Sequence, residues 1–118
     1  MRDDSERLTD LLEAIGRIEK YTNDGRATLD QELVQIWVLH HLMIIGEACR
    51  GLSPQFRMDH PQDVWTQAAG LRNVIVHEYF GVDAEIIWDV VVQDLPELKE
   101  RVKGLLSLEN TPPPGNED

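Results

Sequence analysis

The sequence predicts an all-α chain, an antiparallel helical bundle of four main helices plus a short one that pairs as a homodimer. Three observations carry that reading. Apolar residues recur at three-and-four spacing in four long segments. No segment reads as a strand, a repeat or an interdomain linker. Gly is held to 8 and Pro gathers toward the C-terminal end, so most of the chain is free to be helical. A length of 118 residues makes one domain with a modest but real core.

The first helix starts with Ser5 as candidate N-cap and carries Leu8, Leu11, Leu12, Ile15 and Ile18 on one stripe to about Tyr21. Asp10, Glu13 and Arg17 fall on its outer face. Thr22-Asn23-Asp24-Gly25-Arg26 is a turn signal, after which Thr28 or Asp30 is placed to cap a second helix running to about Arg50. Leu33, Ile36, Trp37, His40, Met43, Ile44 and Ala48 share one broad face of it, widened by Val34, Val38, His41 and Ile45. A helix apolar nearly all round is central, or is buried further by another subunit. Gly46 is costly inside a helix, by about 1 kcal/mol against Ala, and points to close backbone approach. Glu47 either pairs with a cation such as Arg72 or faces solvent.

Gly51-Leu52-Ser53-Pro54 ends the second helix, and Ser53 is set to cap a short turn from Pro54 to about Met58. His60-Pro61 breaks the chain again, and a helix follows from about Asp63 to Val76 with Val64, Ala68, Leu71 and Ile75 on its buried stripe. Trp65 is expected to pack in the core or at a subunit contact. Asp83 caps the last helix, striped by Ile86, Ile87, Val90, Val91, Leu95, Leu98, Val102, Leu105 and Leu106. Pro96 removes a backbone donor, so a kink is expected around Asp94. Lys99, Arg101 and Lys103 are read as closing the final turns, as the helix dipole favours. Residues 1–108 form the helical domain, and 109–118, acidic and Pro-rich, are expected to be a disordered tail.

Composition narrows the functional classes. A net charge of −11 and a pI near 4.6 count against sequence-independent nucleic-acid binding, which depends on Lys and Arg neutralising phosphates. A small basic spot on an acidic surface, or a basic partner, stays compatible with it. The single cysteine, Cys49, excludes an internal disulfide and a Cys-rich zinc site and fits a reducing, cytoplasmic setting. No 18-residue apolar run calls for a membrane span, and Met1-Arg2-Asp3-Asp4-Ser5-Glu6 lacks a signal-peptide pattern. His40, His41, His60 and His77 show no metal-ligand spacing, so neither metal nor other cofactor is expected.

Chemistry concentrates in Leu71-Arg72-Asn73-Val74-Ile75-Val76-His77-Glu78-Tyr79-Phe80, where a guanidinium, an amide, an imidazole and a phenol fall within eight positions. Asn73 shares a helix face with His77, and Arg72 with Tyr79. Arg72 and His77 are five apart, about 140° from one another on a straight helix. Either the helix ends near His77, where three β-branched residues and then Gly81 weaken it, or the groups meet across a cleft made with a second copy. His77 suits general acid–base work near neutral pH, Arg72 suits a developing phosphorane-like charge, and Asn73 suits orienting either. Together they fit metal-free RNA cleavage by the 2′-hydroxyl. Tyr79 suits acceptance of a nucleotide phosphate that would block an anionic substrate. A purely structural role is the rival: Arg72 bridging Glu47 or Asp83, His77 satisfied in the interior, Tyr79 packed.

The run from Arg72 to Tyr79 matches the R-N-x-x-x-H-x-Y signature of the HEPN superfamily, and the chain resembles its HepT-like (DUF86) branch. Ile45-Gly46-Glu47-Ala48, Trp65 and Leu95-Pro96-Glu97-Leu98 are similar to that branch in the same order. The resemblance implies a helical homodimer with both motifs facing one cleft. It implies a metal-independent ribonuclease with Arg72 and His77 as the catalytic pair and Asn73 beside them. It also implies a toxin of a toxin–antitoxin module, neutralised when an MntA-type nucleotidyltransferase antitoxin transfers AMP to Tyr79. The alternative is a non-catalytic dimeric module that binds a nucleotide or such a nucleotidyltransferase.

Overall fold

A computed structural model describes residues 3–61, 65, 68 and 84–110. It is all-α, with no strand among the described residues. Helix α1 spans Asp4–Thr22, a 3-10 turn covers Arg26–Asp30, α2 spans Glu32–Arg50 and α3 spans Pro54–Asp59. After the motif come α4, Ala84–Asp89, a π-helical turn, Val90–Asp94, and α5, Leu95–Asn110. No helix among the described residues is long and apolar enough to cross a membrane.

The expected stripe of α1 is its core face: Leu8, Leu11, Ile15 and Ile18 are fully buried, while Leu12 packs at the margin. Glu13 and Arg17 lie outside and pair across one turn at 2.9 Å. The N-cap is Asp3 rather than Ser5. Asp3 stands three residues before Glu6, so its carboxylate takes the Glu6 N–H at 2.8 Å while the Glu6 side chain takes the Asp3 N–H, a reciprocal box Ser5 has no partner to form.

Gly25 turns the chain at φ 109°, a left-handed conformation that side chains resist. Leu29 is then fully buried, and residues 26–30 wind into the 3-10 turn to put it there. Neither Thr28 nor Asp30 therefore caps α2. The Thr28 hydroxyl donates to the Gly25 carbonyl, Asp30 pairs with Arg26, and Gln31 occupies the N-cap without a side-chain cap bond. Arg26 also bridges to Glu85 of α4, and these two carboxylates, Glu85 foremost, raise its pKa further.

In α2 the core takes a different stripe from the broad face expected to lead. Val38, Leu42, Ile45 and Cys49 are buried, with Leu39, His41 and Ala48 beside them. Leu33 is 80% and Ile36 52% exposed, and His40 is exposed too. A helix apolar all round offers several faces, and contact with α1 selects one. The two helices run antiparallel, since Ser53 just beyond α2 meets Asp4 while the Trp37 indole N–H reaches the Arg17 carbonyl at 2.9 Å.

Ser53 caps α3 as expected, with Pro54 in its first turn. The Ser53 hydroxyl accepts from the Phe56 N–H and donates to Asp4 at 2.6 Å, while the Ser53 N–H reaches the other Asp4 oxygen at 2.8 Å. Trp65 is 2% exposed, stands edge-on to Phe56 at 5.7 Å and donates its N–H to the His60 carbonyl, as a core role requires.

The kink expected near Asp94 takes the form of the π turn. The Leu95 N–H bonds to Val90, five residues back, so the ladder already widens where the Pro96 ring would meet the carbonyl of its own preceding turn. Ile87, Val90, Leu95, Leu98 and Val102 are buried, whereas Ile86 is exposed. Helix α5 continues to Asn110, so Lys99, Arg101 and Lys103 sit in its middle rather than its last turn. Lys99 instead ties α5 to α1 through both Glu19 oxygens at 3.0 and 3.1 Å. The expected cap Asp83 and tail residues 111–118 lie outside the described residues.

Replacing Asp4 by Ala leaves Ser53 with two unmet donors. A loss of about 1–3 kcal/mol is expected, read as a lower urea midpoint at unchanged slope. Burial also pushes the Cys49 thiol up to about 12. Cys49 should therefore stay unmodified by a thiol-reactive disulfide reagent at pH 8 in the folded chain and react in denaturant. Because the folded pKa lies above the unfolded one, this group's contribution is full below about pH 8.5 and falls as pH rises through the folded value.

Candidate functional site

Arg72, Asn73, His77 and Tyr79 lie outside the described residues, as do the helix expected over 63–76, apart from Trp65 and Ala68, and the proposed partnership of Arg72 with Glu47. The described residues fix the frame around them. Trp65 and Ala68, seven and four positions ahead of Arg72, are both buried in the core. On the far side α4 resumes at Ala84, with Ile87 buried.

Helix α2 contributes the other segment of interest. Gly46 is buried, consistent with the close approach read from its cost, and Glu47 faces outward. Glu47 lines a groove of about 310 Å³ between α1 and α2 with Arg7, Asp10, His40, Met43 and Ile44. Arg7 turns its guanidinium under Gly51, where an added Cβ would collide with it. The groove runs on into a second hollow of about 330 Å³ bordered by Asp10, Glu13, Arg17, His40 and His41.

The histidines in this groove are arranged for packing more than for catalysis. His41 is buried, and its Nδ1 lies 2.8 Å from the Trp37 carbonyl, which can only accept, so that nitrogen carries the proton. His40 is exposed and edge-on to it at 5.1 Å. His60 stacks on Phe56 at 4.7 Å. Among the described residues no group of three or more His, Cys, Asp or Glu is placed to hold a metal ion. Cys49 is buried with its thiol held protonated, so it is no nucleophile. Asp10 and Glu13 repel phosphate at the groove, and Arg17 is engaged by Glu13. This hollow is therefore unfavourable for a nucleic-acid backbone.

Sequence reasoning did not single out Asp4, Arg7 or Glu19, whose contacts span 49, 44 and 80 positions. No local signal marks such pairs.

Comparison with known proteins bears on the same residues. The family model for Ribonuclease HepT-like proteins matches residues 11–105, a span that includes Arg72 to Tyr79. A Methanocaldococcus jannaschii protein whose name marks it as an RNase candidate is 34% identical over 104 residues, 86% of this chain and 95% of that protein. A Thermococcus cleftensis protein described as a probable ribonuclease HepT is 35% identical over 106 residues, 88% of this chain and 96% of that one. A second M. jannaschii RNase candidate is 38% identical over 106 residues, 83% of this chain and 86% of its own. No solved structure matches. Matched across most of its length and nearly end to end with these relatives, the chain belongs to the HepT-like ribonuclease family.

Proposed function

We propose that the protein is a metal-independent endoribonuclease of HEPN type, working as a homodimer and serving as the toxin of a toxin–antitoxin module. The observation that carries this reading is the unbroken Arg72-Asn73-x-x-x-His77-x-Tyr79 pattern inside the matched family span. In the reaction, His77 takes the proton of a ribose 2′-hydroxyl. The oxygen attacks the neighbouring phosphorus, the 5′-oxygen leaves with a proton, and a 2′,3′-cyclic phosphate remains. Arg72 offers its forked donors to the charge that develops on the phosphoryl oxygens, and Asn73 holds the phosphate or the imidazole in place. No metal or other cofactor enters this scheme.

Control is assigned to Tyr79. Its phenol oxygen attacks the α-phosphorus of a nucleoside triphosphate held by an MntA-type nucleotidyltransferase, pyrophosphate departs, and AMP stays on the ring. The added phosphate then repels RNA from the cleft. A second reading is favoured by the net charge of −11: a dimeric module that holds a nucleotide or the nucleotidyltransferase without turnover.

Arg72→Ala and His77→Ala should each slow RNA cleavage by about 10²–10⁴-fold and relieve growth arrest on expression. Cyclic-phosphate ends formed equally by parent and both variants would overturn the assignment, and their absence from the parent favours the second reading. Co-expression with an MntA-type nucleotidyltransferase partner should add AMP by intact mass to the parent and not to Tyr79→Phe. An unshifted mass beside an active transferase removes the proposed control.

A further inference from the structure

The buried ring of His41 carries an acceptor that no donor among the described residues meets. The residue is 4% exposed. Its Nδ1 gives the ring proton to the Trp37 carbonyl at 2.8 Å, so in the neutral ring Nε2 holds a lone pair. Among the described residues, the side-chain nitrogens that are both sealed and unpartnered are Arg7 Nε and Arg57 Nε. His41 Nε2 is not one of them, so it opens to solvent. The hollow of about 330 Å³ that His41 lines is that opening, with room for a small ligand rather than a single water.

The ring is held in this pose. Trp37 tilts against it at 4.4 Å and is itself fixed by its N–H to the Arg17 carbonyl, while His40 stands edge-on at 5.1 Å. Turning the ring over would break the Nδ1 bond, so Nε2 is preorganised to accept. A buried acceptor left unmet is costly, and a ligand that donates to it binds with that much more effect.

The walls select the kind of donor. Asp10 and Glu13 set two carboxylates against one guanidinium, Arg17, which Glu13 holds at 2.9 and 3.3 Å. The negative balance repels carboxylates and phosphates and favours a cation. Among the described residues no three His, Cys, Asp or Glu are placed to hold a metal ion, so the fitting cation is one that carries its own hydrogens. An ammonium has three donors and no acceptor, which suits a lone pair beside carboxylates. Asp10, His40 and Ile44 also line the adjoining groove of about 310 Å³, where Met43 and Ala48 extend the apolar wall. An alkyl stem leaving the hollow runs along that wall.

We propose that the hollow at His41 seats a primary ammonium on an alkyl stem, the group that a lysine side chain or a polyamine carries. Nε2 accepts one of its hydrogens, Asp10 and Glu13 counter its charge, and Ile44 and Met43 cover the stem. The site does not rest on the chemistry assigned to Arg72 and His77. On a chain of net charge −11 it gives a basic ligand one specific anchor.

Heteronuclear NMR of the histidine ring nitrogens tests the proposal. At about pH 8 an ordinary imidazole is neutral and an alkylammonium is charged. Adding n-butylammonium to the full chain should move the His41 Nε2 resonance saturably toward the range of a hydrogen-bonded nitrogen, with His40→Gln telling the two neighbouring rings apart. Tetramethylammonium, equally charged but without an N–H, should leave that resonance in place. His41→Phe and Asp10→Asn should each raise the Kd for butylammonium at least about fivefold, read from the ligand's own NMR signals. If His41→Phe fails to fold, the Nε2 shift of the parent and the Asp10→Asn affinity decide. Tighter binding of a lysine-bearing peptide than of spermidine assigns the ammonium to a protein partner, and the reverse order assigns it to a polyamine. An Nε2 resonance that ignores butylammonium, or that follows tetramethylammonium as far, overturns the proposal, as does an affinity unchanged in both variants.

Discussion

The apolar seam of α1 sets the position of everything around it. Leu8, Leu11, Ile15 and Ile18 are fully buried, and the helix is packed by α2 on one side and α5 on another. Each such side chain contributes roughly 1.5–3 kcal/mol by leaving water, whereas the exposed Arg17–Glu13 pair contributes under about 1. The seam therefore supplies the energy. The polar ties supply register: Asp4 to Ser53 at one end, Arg17 to Trp37 and Glu19 to Lys99 toward the other. With α1 fixed, α2 has one rotation about its own axis, and that rotation sends Ile36 and His40 outward.

Legibility followed the range of the determining interaction. The α1 stripe, the Ser53-Pro54 cap and the burial of Trp65 were readable because neighbours within a few positions decide them. The rotation of α2 was not, because Leu33, Ile36 and Ile44 compete on equal terms with Val38, Leu42 and Ile45 until α1 chooses. The start of α2 shifted past Thr28 and Asp30 because burying Leu29 draws the chain into a tighter turn. Pro96 announced a break but not its form, which is a π turn with the Leu95 N–H bonded to Val90. Lys99 was read against its own helix end, while its partner stands 80 residues away. At the candidate site the residue types and their order were legible and lie within the span that the family model matches, whereas the placement of Arg72, Asn73, His77 and Tyr79 lies outside the described residues.

The charge of the chain shapes how an anionic substrate can be held. Several described cations are already engaged: Arg17 by Glu13, Arg26 by Asp30 and Glu85, and Lys99 by Glu19. Asp10 and Glu13 make the α1–α2 groove unwelcoming to phosphate. Under the proposed function a chain of net charge −11 offers RNA little general electrostatic attraction, so binding should depend weakly on salt. Binding of that kind would also be easily blocked. One phosphate on Tyr79 would then offset much of the attraction that Arg72 provides, and modification would need no conformational change to silence the site.

The spacing of the motif bears on the two-copy reading under the proposed function. Five positions separate Arg72 from His77, about 140° on a straight helix, so one helix does not converge both on a single phosphorus. A two-fold axis offers a second guanidinium and a second imidazole without lengthening the chain. It asks for a rigid element to set the distance, and α2 is a 19-residue helix backed by the α1 seam. A flexible loop in that place would leave the distance between the two motifs unset. Catalysis by positioned groups tolerates errors of only about 0.5 Å, and a helix-on-helix junction holds distances on that scale.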